Sequence, residues 1–128
     1  MKYAVKVGTN LSIEMVDATN QPFLGFCYKQ IGCDMIEIVR PRGLKRPLVM
    51  VIDEEGLLKS EPVINFIGSY LYETHEHKLP IVGNALICKE INNGTDLAFL
   101  DEDEAIDIAK ELDKIGKAEF YMLRKQLE

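Results

Sequence analysis

Two apolar runs separated by a basic loop constrain this chain more than anything else in it. Met35, Ile36, Ile38 and Val39 are apolar and mostly β-branched, and only Glu37 interrupts them. Leu48, Val49, Met50, Val51 and Ile52 follow with no polar residue among them. Short apolar runs bounded by turn residues mark buried strands. Between the runs lies Arg40-Pro41-Arg42-Gly43-Leu44-Lys45-Arg46-Pro47, whose prolines and glycine exclude regular structure. The second run ends at Asp53-Glu54-Glu55-Gly56, a turn whose glycine can take positive φ. This reads as two antiparallel strands joined by a cationic loop, with 48–52 central in a sheet.

The rest of the chain supplies neighbours for that hairpin. Residues 2–7 alternate, with Tyr3, Val5 and Val7 on one face and Lys2 and Lys6 on the other. After the turn Gly8-Thr9-Asn10, residues 11–16 alternate again and complete an opening hairpin. Asn20 reads as a helix N-cap with Pro22 in the first turn. Phe23, Leu24, Phe26, Cys27, Gln30 and Ile31 then recur at helical spacing up to a stop at Gly32. A second helix is expected to start at Ser60 or Glu61 with Pro62, and its stripe includes Val63, Ile64, Phe66, Ile67, Tyr70 and Leu71. Ile81 to Cys88 is another buried-type strand. Asn92-Asn93-Gly94 turns it back into a short strand at 96–100. Asp101 and Glu104 form a capping-box pair at the head of an amphipathic helix expected to stop at Gly116. Residues 117–128 fit either helix or strand.

About five or six strands with two or three helices, in non-alternating order, make an α+β domain spanning residues 1–128. The expected layout is a mostly antiparallel sheet with the helices on one face.

Three motifs then resemble a family known only as a domain of unknown function, found in small proteins of phages and mobile elements of Gram-positive bacteria. They are Ile31-Gly32-Cys33-Asp34-Met35-Ile36-Glu37, Asp53-Glu54-Glu55-Gly56-Leu57 and Ile81-Val82-Gly83-Asn84-Ala85-Leu86, and they cover roughly residues 1–90. Asn65 stands where the family usually has an asparagine, although Pro62-Val63-Ile64 departs from the commoner local pattern. The resemblance implies a fold and a mobile-element origin, and no chemistry.

Composition narrows the function classes. A net charge of −6 argues against a general nucleic-acid surface, which needs a basic face. No apolar run approaches the ~20 residues of a membrane helix, and residues 1–7 lack the long apolar core of a signal peptide. A cytoplasmic protein without membrane contact is expected. Cys27, Cys33 and Cys88 include no CxxC pair and read as small buried hydrophobes.

The candidate site is the basic loop. Arg40, Arg42, Lys45 and Arg46 put four cations within seven residues, and such groups hold phosphate or carboxylate. The alternative is a solvated loop that keeps two hydrophobic strands soluble. Gly43 would let a ligand approach the backbone. Tyr72 would add a stacking surface while Tyr70 packs in the core, and Asn84 or Asn92 would add polar contacts. His75-Glu76-His77 lacks a third ligand at fixed spacing, so no metal site is expected. The acids at Glu37 and 53–55 fit a turn without catalysis, and nucleophile elbows and phosphate-binding glycine loops are absent.

Catalytic residues and cofactors are therefore expected to be none. Three functions remain. The first is a non-enzymatic accessory protein that binds, and by binding sequesters, an anionic small molecule such as a nucleotide-type signal. The second is a protein-interaction module that inhibits a host defence factor through its acidic C-terminal helix. The third is a small enzyme with an unrecognised site. Exposed sheet edges and an apolar C-terminal segment add a homodimer to the expectations.

Overall fold

A computed structural model describes residues 1–72 and 80–127, with 118–127 described by backbone alone. The strands are β1 (Lys2–Val7), β2 (Ile13–Asp17), β3 (Ile36–Val39), β4 (Leu48–Asp53), β5 (Ala85–Ile91), β6 (Asp96–Ala98) and β7 (Leu100–Asp101). Among the described residues the helices are α1 (Phe23–Ile31), α2 (Phe66–Leu71) and α3 (Glu102–Leu127), with a 3₁₀ turn at Gly56–Leu58. The sheet runs β2-β1-β5-β4-β3, while β6 pairs with β5 and β7 with β1. Every named pairing is antiparallel. The α+β class and the antiparallel sheet are as the sequence indicates.

The helices divide between the two faces of the sheet, where the sequence reading placed them on one. Val49, Val51, Leu86 and Cys88 point toward Phe26, Cys27 and Ile31 of α1. Their neighbours Met50, Ile52 and Ile87 point the opposite way, into a core closed by Ile67 and Leu71 of α2 and Leu112 of α3. A strand covered on both faces needs apolar residues at every position, and 48–52 supplies them. Met50 and Val51 are both fully buried, and each such side chain contributes about 1.5–3 kcal/mol. Among the described residues, no helix is long and apolar enough to cross a membrane.

Several boundaries differ from expectation, each for a local reason. Asn20 does not cap α1. It sits at φ 60° in a turn closed by Gln21 N donating to Ala18 O, and Pro22 occupies the cap position without a side-chain bond. Gly32 does stop α1, at φ 78°, with its N–H donated to Tyr28 O. Gly56 opens the 3₁₀ turn, where a Cβ would lie 3.2 Å from Val82 O, so close approach rather than positive φ calls for glycine.

The second helix starts at Phe66, later than Pro62 suggests, because Asn65 caps it. The Asn65 Oδ1 accepts from Gly68 N at 2.9 Å, and its Nδ2 donates to Val7 O at 2.9 Å and Gly83 O at 2.8 Å. One fully buried amide thus joins α2, β1 and the approach to β5. Residues 63–64 are held outside the helix by Gly83 N donating to Val63 O and by a bridge between Ile64 and Val82.

α3 begins as the capping pair indicates, with Asp101 N donating to Glu104 Oε1 at 2.9 Å. It does not stop at Gly116, and residues 117–127 are helical. Gly116 marks a close approach inside the helix, where a Cβ would stand 3.2 Å from Ile67 Cδ1 and 3.4 Å from Leu11 O.

Candidate functional site

The basic loop is exposed along most of its length and is anchored to its own protein at a few points. Leu44 is buried in the core, and Gly43 N donates to Leu71 O at 3.2 Å. A Cβ on Gly43 would lie 2.9 Å from both Cα and O of Leu71. The side on which a Cβ would stand is therefore filled by the C-terminal end of α2, while Gly43 itself still lines the cleft between the loop and α3.

The four cations go to different places. Arg40 donates through Nε to Glu90 Oε2 at 2.7 Å. Arg46 approaches the other oxygen of Glu90 at 3.9 Å while remaining largely exposed. The Glu90 side chain is only 8% exposed, so Arg40 is committed to neutralising a buried carboxylate. Arg42 is exposed on the loop. Lys45 and Arg46 line a cleft of about 460 Å³ between the loop and α3, and Arg40 and Arg42 do not line it.

That cleft has three distinct surfaces. Leu44, Leu48 and Ile108 supply its apolar part. Lys45 and Arg46 form a cationic wall, while Glu104, Asp107 and Glu111 of α3 form an anionic one. Glu104 is already engaged, with its Oε1 accepting from Lys89 Nζ at 2.8 Å and from Asp101 N. Asp107 and Glu111 are exposed and one helical turn apart, so their side chains share a face. The volume lies within the usual range for a small-molecule site.

The remaining sequence candidates do not converge there. Asn84 precedes β5 and Asn92 follows it. Eight residues of extended chain place them about 27 Å apart. Asn92 serves its own turn, with φ 52°, Nδ2 donating to Asp96 Oδ2 at 2.6 Å, and its carbonyl accepting from Thr95. The tyrosines exchange their expected roles. Tyr70 is 57% exposed, whereas Tyr72 packs against the core, because Ile67 and Leu71 set the inward stripe of α2. His75-Glu76-His77 lies outside the described residues. Among the described residues, no group of three or more His, Cys, Asp or Glu is placed to hold a metal.

A second depression, of about 380 Å³, lies beside the end of α1 and includes Tyr28, Cys33, Asp34, Asp53, Glu55 and Lys59. Its central charges are paired internally. Lys59 Nζ lies 2.9 Å from Asp53 Oδ2 and donates to Gly32 O at 3.3 Å, and the bond to Asp53 raises its pKa. Asp53 Oδ1 also accepts from Glu55 N. Cys27 and Cys88 are buried, as expected of structural thiols, while Cys33 is only half-buried. Burial, with Asp53 nearby, pushes the Cys33 thiol up, which disfavours the thiolate a nucleophile needs.

Sequence reasoning missed Glu90, Asp107, Ile108 and Glu111 as parts of this region. The signal for Glu90 was present, since it shares the inward parity of Leu86 and Cys88 on β5. A carboxylate at such a position demands a cation, and the basic loop is the densest source of them.

Fold and cleft together describe an α+β protein in which acidic residues of one helix and cations of a basic loop line the same cleft. The chain belongs to the family described as a domain of unknown function, DUF3846, whose model matches residues 1–113. The match extends beyond the roughly 90 residues that carry the sequence motifs and includes every residue lining the cleft. No curated protein and no solved structure matched the chain.

Proposed function

We propose that this protein binds an anionic small molecule in the cleft between the basic loop and α3. The observation that carries this reading is the placement of Lys45 and Arg46 together on one wall of a cleft of about 460 Å³ with an apolar part. A phosphate or carboxylate would take the cationic wall, and a ring or aliphatic group would cover Leu44, Leu48 and Ile108. Nucleotide-type ligands have both parts. The phage and mobile-element setting suggested by the sequence motifs fits an accessory protein that sequesters such a molecule. A thermal-shift screen with nucleoside monophosphates and cyclic nucleotides tests the reading. Ligand at ~100 times its dissociation constant adds about 2.7 kcal/mol of stability. Unchanged melting across the panel counts against it.

A second reading is a protein-interaction module that inhibits a host defence factor. It is favoured by a row of exposed apolar side chains, Leu57, Leu58, Val63, Ile64, Phe66 and Tyr70, with Leu58 at 82% exposure. Exposed apolar surface of this kind marks contact sites. These side chains lie on 57–70 and not on the acidic helix to which the sequence attached this role. They could equally be covered by a second copy, and light scattering at micromolar concentration distinguishes a homodimer from a monomer.

A further inference from the structure

We infer that the ligand of the cleft is not a simple anion but an amphoteric molecule, with a negative group at one end and hydrogen-bond donors at the other. This inference rests on the proposed use of the cleft. Its basis is the opposition of the two walls. Lys45 and Arg46 favour negative charge, but Asp107 and Glu111 lie across the same space. Ionised carboxylates accept hydrogen bonds and cannot donate them. A bare phosphate or sulfate would gain from one wall and be repelled by the other.

A ligand with hydroxyl or amino groups turns the second wall from a penalty into a set of acceptors. Glu104 is less available for this task because its Oε1 already accepts from the Asp101 amide and from Lys89, whose cation also offsets its charge. Asp107 and Glu111 are four residues apart on α3, which spaces their Cα atoms by about 6 Å along the axis. Two acceptors on neighbouring turns suit a ligand that carries more than one hydroxyl or amino donor. Leu44, Leu48 and Ile108 line the same cleft and suit the ring that links the two polar ends. The ligand class is thus a phosphorylated or carboxylated molecule with a hydroxyl- or amine-bearing ring, as in a nucleoside monophosphate.

The wall of acids makes the test one of sign. Adenosine monophosphate and inorganic phosphate are titrated calorimetrically against wild type, the Asp107→Asn/Glu111→Gln double variant and Lys45→Gln. All three sites are exposed, so the variants remain folded. The nucleotide is expected to bind wild type at least tenfold more tightly than phosphate. The double variant should weaken the nucleotide by about tenfold, because charge-assisted bonds become neutral ones, and should tighten phosphate. Lys45→Gln should weaken both. If phosphate binds as tightly as the nucleotide, or if removing the acids tightens both alike, the site takes a plain anion. This inference then fails while the binding reading stands. If neither probe binds, or if Lys45→Gln changes neither affinity, the binding reading falls and this inference falls with it.

Discussion

Arg40 donates through Nε to Glu90 Oε2 at 2.7 Å, joining the start of the basic loop to the far end of β5. This pair separates the structural cations of the loop from those that face the cleft. Arg40→Gln removes the 2.7 Å partner of the buried Glu90 carboxylate, leaving Arg46 at 3.9 Å, and is expected to cost about 1–3 kcal/mol. Lys45→Gln is expected to change stability by less than ~0.5 kcal/mol, as a surface substitution. Urea denaturation of both variants checks this. Equal stabilities would mean that the Glu90 pair contributes nothing.

Asn65 is a single side chain on which three backbone segments depend. Asn65→Ala removes the α2 cap and leaves the carbonyls of Val7 and Gly83 without their amide donor. A lost cap costs about 1 kcal/mol and an unsatisfied buried group about 1–3 kcal/mol, so a loss of at least ~3 kcal/mol is expected. Asn65→Asp keeps the acceptor for Gly68 but cannot donate, and should be at least as damaging. A melting temperature within two or three degrees of wild type for either variant would contradict this role, since ~3 kcal/mol corresponds to a larger shift in a domain of this size.

The Lys2–Asp101 pair ties β1 to the head of α3 and sets a pH dependence. The hydrogen bond from Lys2, with Lys89 nearby, lowers the Asp101 pKa below 3.8. A lowered carboxylate contributes stability that is present above its unfolded value and lost as pH falls through the folded one. The same bond raises the Lys2 pKa above 10.5, so that contribution is lost as pH rises through the raised value. Asp101→Asn should therefore flatten the stability profile below pH ~4 and above pH ~10. Both groups are exposed, so the change should be small and should shrink in salt. A profile parallel to wild type at both ends would exclude the pair.

The hairpin, the strand at 48–52, the stop at Gly32 and the capping pair at 101–104 were legible because each rests on local chemistry. The unbroken run Leu48–Ile52 also carried the sign of burial on both faces, which the one-face layout did not use. What local reading could not supply was long-range. Asn65 caps α2 while also meeting β1, and Gly116 sits inside α3 where the helix passes close to Ile67 and Leu11. The candidate site was half legible for the same reason. A run of cations is visible in sequence, but its division between Glu90 and the cleft depends on partners some forty to sixty residues away.

On the proposed function, Lys45 and Arg46 hold an anion in the cleft. That reading is tested most directly by titrating adenosine monophosphate against wild type and Lys45→Gln, each at low and at physiological salt. Loss of one charge-assisted hydrogen bond, worth roughly 1.5–3 kcal/mol, predicts about one to two decades of affinity lost in the variant. Binding should also weaken with salt, more steeply for wild type, because exposed charges are screened over ~8 Å at physiological ionic strength. Equal affinities in all four titrations would contradict the account and remove the basic loop as the site.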